Sequence, residues 1–311
     1  MPNGKRPPLR DEPDVPDPVG VVGLGIMGSA YARHLLEAGV PTFGYDPAAA
    51  ACECFAARGG TVVATPAAVA ERARVVLSAL ASVEALDAVY LGDDGLLRGA
   101  NPGTVLIEHS TFALADKERV RAALAARDVA VLDAPVSGTG AQAAAKDITV
   151  FSSGERAAHD AALTAMAAYA RDVRYVGPFG TGSKLKYLAN LLVTIHNLST
   201  AEALVLGEKA GLDPQLIIDC LGESAATSRM FQVRGPMIAA RTYQPAAMKM
   251  DVYDKDLHII DDFARSVGAP TPLFSQSVLF YTAALSNGHA KDDTAAIAEV
   301  LRAMAGLDEE R

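Results

Sequence analysis

The sequence predicts an α/β fold, in which an N-terminal doubly wound parallel sheet is joined by one long helix to an all-helical C-terminal region. Three observations lead there. Short β-branched runs alternate with alanine-rich helical stretches from Val19 to Val176. A glycine-rich turn follows the first of those runs directly. After Gly182 no strand-like run recurs, while helical periodicity continues nearly to the end of the chain. At 311 residues, half of them apolar, the chain is long enough for two domains.

Residues 1–18 are rich in proline and charge and are expected to be a disordered extension. Residues 19–179 are expected to form the sheet domain, with strands at Val19-Val22, Thr42-Tyr45, Thr61-Val63, Val75-Leu80, Thr104-Glu108, Val129-Leu132, Ile148-Ser152 and Val173-Val176. Helices fill the intervals; Ala30 to Ala38, for example, is amphipathic and ends at Gly39. Residues 180–311 are expected to form the helical domain, opened by an interdomain helix over 180–211 that Gly211 and Pro214 terminate. Further helices are predicted at Pro214-Leu221, Ser228-Ala240, Tyr253-Val267, Pro272-Asn287 and Asp292-Met304.

Charge removes two classes of partner. Net charge is −9, so no basic field exists to hold nucleic acid or an anionic membrane. No apolar stretch is long enough for a dedicated bilayer-spanning helix. Cys52, Cys54 and Cys220 lack metal-ligand spacing, and an odd cysteine count without a signal peptide points to a reducing cytoplasm. His34, His159, His196, His258 and His289 stand singly on predicted helices, so no metal site is expected. Asp261-Asp262 and Asp292-Asp293 read as exposed faces or helix caps.

Gly23-Leu24-Gly25-Ile26-Met27-Gly28 has the spacing of a dinucleotide-binding turn. Gly23 permits the tight exit from the strand, Gly25 lets backbone N–H groups approach phosphate, and Gly28 allows close packing of helix on sheet. Asp46, at the end of the second strand, stands where a Rossmann unit hydrogen-bonds the adenosine ribose. Its carboxylate would repel a 2′-phosphate, and Pro47-Ala48-Ala49 supplies no arginine to offset this, so NAD is favoured with NADP as the second candidate. Asp46 also suits a cap for a helix beginning at Pro47, and both roles are compatible.

Two further segments carry candidate chemistry. Asp133-Ala134-Pro135-Val136-Ser137-Gly138-Thr139-Gly140 follows a strand, where its amides and hydroxyls form either a nest for a substrate carboxylate or a helix N-cap turn with Ser137 as the cap. Lys186 and Asn190 lie four apart near the start of the long helix and therefore share a face. A lysine partly buried beside a nicotinamide cation would be poised to accept an alcohol proton. Solvated helix-start residues are the alternative for that pair.

Gly23 to Gly28, Asp133 to Gly138, the Gly180-Thr181-Gly182-Ser183-Lys184-Leu185-Lys186 helix start through Asn190, and Lys255-Asp256-Leu257 together resemble the four signatures of the β-hydroxyacid dehydrogenase family. The resemblance covers Val19 to Met304, and in pattern it is closest to the L-threonate dehydrogenase branch. It implies an NAD-preferring oxidoreductase acting on a small β-hydroxy acid or the matching semialdehyde or keto acid. It implies Lys186 as general acid/base with Asn190 as its partner, and Ser137, Gly138 and Thr139 around the substrate carboxylate. Lys255, Leu80, Ser110 and Thr111 would line the cofactor cleft with Gly23, Leu24, Gly25, Ile26, Met27, Gly28 and Asp46. Association into a homodimer or homotetramer through the helical domain is implied as well.

The chain departs from the family pattern at His109, Thr139, Ala189 and Met248, all expected near the substrate pocket. Arg229 or Arg234 is either a second contact for a longer acid or a brace between helices. Two rival functions remain at this stage. One is NADPH-dependent reduction of an imine or semialdehyde, against which Lys186 and Asp46 count; the other is a non-catalytic NAD-binding regulatory module.

Overall fold

Strand β1 (Val19–Val22) is buried along its whole length, as a central parallel strand must be when helices cover both faces of its sheet. The computed structural model describes residues 16–307. From β1 the chain runs through α1 (Ile26–Glu37), β2 (Thr42–Tyr45), α2 (Ala49–Ala56), β3 (Thr61–Val62), α3 (Pro66–Ala70), β4 (Val75–Ser78), α4 (Val83–Leu91), α5 (Leu96–Gly99), β5 (Val105–Glu108), α6 (Leu114–Ala125) and β6 (Ala130–Asp133). These strands pair in the order β3-β2-β1-β4-β5-β6, all parallel. The order reverses direction between β1 and β4, and there the carboxyl ends of the strands open a crevice.

Beyond β6 the sheet becomes mixed. β7 (Val136–Ser137), α7 (Gly140–Ala144), β8 (Thr149–Ser153), α8 (Arg156–Tyr169) and β9 (Asp172–Gly177) follow, with β8 antiparallel to both β6 and β7 and parallel to β9. The expectation of a parallel sheet holds for six strands and is corrected at this edge. β7 lies between Pro135 and Gly138, which read in the sequence as a turn and not as a strand. The strand expected over Val75-Leu80 stops at Ser78, and Leu80 lies in the following turn. The extension expected over 1–18 lies outside the described residues except for Pro16, Asp17 and Pro18, which carry no helix or strand.

Helix α9 (Thr181–Lys209) has 29 residues and leads into α10 (Pro214–Leu221), α11 (Arg229–Ala239), α12 (Met250–Ser266), α13 (Pro272–Ser286), a 3₁₀ turn at Thr294–Ala296 and α14 (Ile297–Met304). Local chemistry sets these starts: Asp213 and Ser228 cap α10 and α11 through their side chains, and Pro214 and Pro272 occupy first turns. One apolar core around Tyr31, Leu35 and Met166 lies on one face of the sheet, and a second around Val69, Leu106 and Leu124 on the other. A third, around Leu204, Phe274 and Ile297, lies within the helices. Because α9 packs on β6, β7 and β8 at one end and on α11, α13 and α14 farther along, it joins the two parts directly. Among the described residues no helix is long and apolar enough to cross a membrane.

Candidate active site

At Gly23 the backbone has φ +86°, and a Cβ there would stand 2.3 Å from the Ala79 carbonyl oxygen. A Cβ at Gly28 would stand 1.8 Å from the Gly23 carbonyl oxygen, so α1 sits against the turn as only glycine allows. At Gly25 the added atom would meet nothing within 4 Å, so the backbone faces open space there. Gly25 is also the N-cap of α1, with no side-chain cap and no acidic residue in the first turn. Bare N–H groups at a helix start facing open space fit a pyrophosphate.

Asp46 holds this turn in place. Its Oδ2 accepts the Leu24 amide at 2.7 Å and its Oδ1 the Ala48 amide at 2.8 Å. The Asp-Pro turn and the glycine turn therefore share one carboxylate, which keeps lone pairs on both oxygens for ribose hydroxyls. A cleft of about 560 Å³ runs past Gly23 and Gly25 to Asp46, Leu80, Asp93 and Asp94. Sequence reasoning missed the last two, since Asp-Asp-Gly reads only as a turn.

Ser110 and Leu80 are joined at the next strand ends. Glu108 Oε1 accepts the Ser110 amide at 2.7 Å, and Ser110 Oγ accepts the Leu80 amide at 2.7 Å. From α12, Lys255 donates Nζ to the Thr111 carbonyl, lies 3.1 Å from Asp256 Oδ1 and sits 5.0 Å over the Phe112 ring. The helical part of the chain thus reaches the loop that carries Ser110 and Thr111.

Lys186, in the second turn of α9, is half-buried. Burial of its ammonium pulls its pKa below the ordinary lysine value; Asp256 opposes that shift and Lys255 adds to it. Asn190 is buried one turn on, and its Nδ2 donates to Asp256 Oδ2 at 2.8 Å while Tyr253 donates its hydroxyl to the Asn190 carbonyl at 2.8 Å. Asp256 therefore links Asn190 to Lys255 and acts on the charge of Lys186. In the sequence Asp256 stands only as part of the Lys255-Asp256-Leu257 motif, and its position next to Lys255 is the signal for this role.

The segment after β6 resolves one alternative. Thr139, not Ser137, caps α7: its hydroxyl accepts the Gln142 amide at 3.4 Å, and Gln142 Oε1 accepts the Thr139 amide at 3.0 Å. Ser137 stays exposed on β7, and Gly138 follows with φ +145°. The Thr139 hydroxyl thus accepts from the helix, and its own O–H remains able to donate. Pro135 packs on the start of α9, where a Cβ on Gly182 would lie 3.0 Å from Pro135 Cδ. The Pro135–Gly138 loop is thereby set against the first turn of the helix that carries Lys186.

His109 does not lie in the pocket and is 4% exposed. Its Nδ1 lies 2.6 Å from the Ala134 carbonyl, which can only accept, so Nδ1 carries the proton and Nε2 accepts from the Tyr169 hydroxyl at 2.8 Å. Burial, the largest influence, lowers its pKa to about 4. Met248 packs against the helical core rather than standing free in a cleft, and Ala189 is half-buried. Arg234 is buried on Asp293 at 3.1 Å and Thr294 at 3.0 Å and so ties α11 to the turn before α14, whereas exposed Arg229 meets Gln232 of its own helix, at 3.4 Å.

The architecture recurs in known proteins. Residues 18–177 match the model described as the NAD binding domain of 6-phosphogluconate dehydrogenase. Residues 180–301 match that described as the NAD-binding region of NADP-dependent 3-hydroxyisobutyrate dehydrogenase. The L-threonate dehydrogenase of Cupriavidus necator is 34% identical over 91% of this chain and 95% of its own length. The crystal structure of a 3-hydroxyisobutyrate dehydrogenase from Salmonella typhimurium is 31% identical with TM-score 0.82, over 91% of this chain and 99% of that one. A Mycobacterium tuberculosis 3-hydroxyisobutyrate dehydrogenase with L-serine is 28% identical with TM-score 0.84, over 92% and 99%. On its glycine turn, its two-part architecture and these likenesses, the chain belongs to the β-hydroxyacid dehydrogenase family and is an NAD(P)-binding oxidoreductase.

Proposed function

We propose that this enzyme prefers NAD and oxidises a small β-hydroxy acid, either 3-hydroxyisobutyrate-like or a C3 to C4 sugar acid such as L-threonate, or runs the reverse reduction. Bound nicotinamide supplies the hydride acceptor or donor. Lys186 takes the substrate hydroxyl proton onto Nζ, and a lysine whose ammonium is disfavoured by burial is prepared for that role. Asn190, held by Asp256, orients the hydroxyl beside it. Ser137 and the Gly138 amide hold the carboxylate at the mouth of the loop packed on α9. The observation that carries this reading is the half-buried Lys186, its charge influenced by Lys255 and Asp256, on the helix that bears Asn190 and abuts the Pro135 loop.

L-threonate, 3-hydroxyisobutyrate and L-serine, the compounds in the relatives' names, share a carboxylate and a hydroxyl on the β-carbon. Asp46, without a neighbouring arginine and with Asp93 and Asp94 in the same cleft, supports NAD over a cofactor bearing a 2′-phosphate. The same reading includes self-association through the helical part, where Leu206, Leu273 and Leu279 present large apolar side chains to solvent. The test is a turnover screen of 3-hydroxyisobutyrate, glycerate, L-threonate and L-serine with NAD and with NADP, followed by nicotinamide absorbance. Tight NADH binding with no oxidation of any acid would sink the proposal.

A further inference from the structure

One buried cation connects the cofactor edge, the substrate loop and the start of α9. Lys117, on α6, is 2% exposed. Its Nζ lies 2.6 Å from Glu108 Oε2 and 2.8 Å from Asp133 Oδ1. Glu108 and Asp133 end neighbouring strands in direct register, so without Lys117 two carboxylates would face a dry interior side by side. Burial alone would depress the Lys117 pKa, but Asp133 and Glu108 outweigh it and raise the value above the ordinary lysine range.

Each carboxylate uses its remaining capacity on a different part of the site. Glu108 accepts the Ser110 amide, and Ser110 in turn accepts the Leu80 amide, so this branch holds the cofactor edge. Asp133 accepts the Ser183 amide at 2.8 Å, the Ser183 hydroxyl at 2.7 Å and the Ser153 hydroxyl at 3.1 Å, while Ser153 Oγ accepts the Gly182 amide at 3.0 Å. That branch holds the first turn of α9, one turn before Lys186. Asp133 also begins the segment that becomes the Pro135–Gly138 loop. Tyr187, beside Lys186, donates to the Phe112 carbonyl at 2.5 Å and closes the connection between the branches.

Apolar packing tolerates small slides, whereas charge-assisted hydrogen bonds fix direction and distance. We propose that Lys117 is a positioning residue: through Glu108 and Asp133 it sets the spacing between the Leu80–Ser110 cofactor edge and the helix turn that presents Lys186, without touching substrate or cofactor. The inference rests on Lys186 being the acid/base group. Misplacement of a reacting group by about 1 Å costs on the order of a hundredfold in rate, so a fixed spacing has catalytic value.

The test uses Lys117→Arg, Lys117→Met and the charge-balanced pair Lys117→Met with Glu108→Gln, which keeps an acceptor for Ser110 and folds without two bare carboxylates. In ligand-free protein, exchange of the Ser183 and Gly182 amides is compared with that of Leu77 in β4 as an internal reference for global stability. The proposal expects exchange at Ser183 to rise about tenfold or more beyond any change at Leu77 in the paired variant. It also expects kcat with L-threonate, 3-hydroxyisobutyrate or L-serine to fall about ten- to a hundredfold per NADH-binding site, with KM for NAD within about threefold. Lys117→Arg recovers most of both effects. Equal acceleration at Ser183 and Leu77 with kcat retained overturns the proposal, because the trio is then only a brace for the core. A wild-type protein that oxidises none of the acids removes the acid/base assignment instead, and the exchange data then decide the coupling alone.

Discussion

Lys186 carries the largest expected effect of any single side chain. Lys186→Ala should lower kcat by about two to four orders of magnitude, the range for losing a general acid/base, and leave NADH affinity nearly intact. Calorimetry alongside turnover reads this, and a collapse of cofactor binding contradicts the assignment. Asp46 has two structural bonds as well as its expected ribose contact, so removing it loosens the glycine turn for either cofactor. The informative quantity is therefore the ratio of NADP to NAD efficiency in Asp46→Asn with Pro47→Arg. That ratio should rise by about tenfold or more, equivalent to about 1.4 kcal/mol of relieved repulsion, and an unchanged ratio removes Asp46 from cofactor choice. His109 shows how a residue's role follows from its partners: it looked like a pocket substitution, yet the Ala134 carbonyl and Tyr169 hydroxyl hold it as a neutral core group.

At the scale of elements, local rules explain most of what forms. β1 ends where Gly23 turns, α1 begins on Gly25 without a cap, and α10 begins on Asp213-Pro214. Helix α7 depends on the Thr139 and Gln142 capping box, so Thr139→Ala should cost about 1 kcal/mol of stability by urea unfolding. Activity should change little in that variant. A large loss of kcat with stability retained would return Thr139 to the substrate contacts implied by family resemblance. β1, β4 and β5 were readable because strands buried on both faces are almost continuously apolar. β7 was not, because Val136-Ser137 lies in a segment flanked by Pro135 and Gly138 that reads as a turn, and its pairing with β8 is decided by where β8 comes to lie.

For the whole molecule, buried titratable groups make stability depend on pH. The folded protein holds His109 neutral down to about pH 4, whereas the unfolded chain takes up that proton near the ordinary value of 6.5. Stability from this group is therefore present above pH 6.5 and lost as pH falls toward 4, by about 3 kcal/mol in total. The lowered pKa of His159, again mainly from burial, acts in the same direction. Urea unfolding across this window should show the slope reduced in His109→Asn by about 1.4 kcal/mol per pH unit, and an unchanged slope would refute the neutral buried state. The order of strands and helices, the dinucleotide turn and the share of the chain given to helices were determined by sequence alone, because periodicity and glycine sterics act over a few residues. Only the tertiary structure decided which polar groups meet. Lys117 and Asp133 are 16 positions apart, Asp133 and Ser183 are 50, and Asn190 and Asp256 are 66. Hydrogen bonds and desolvation act through space, so the partners of His109, Lys117 and Asp256 were settled when sheet and helices packed together.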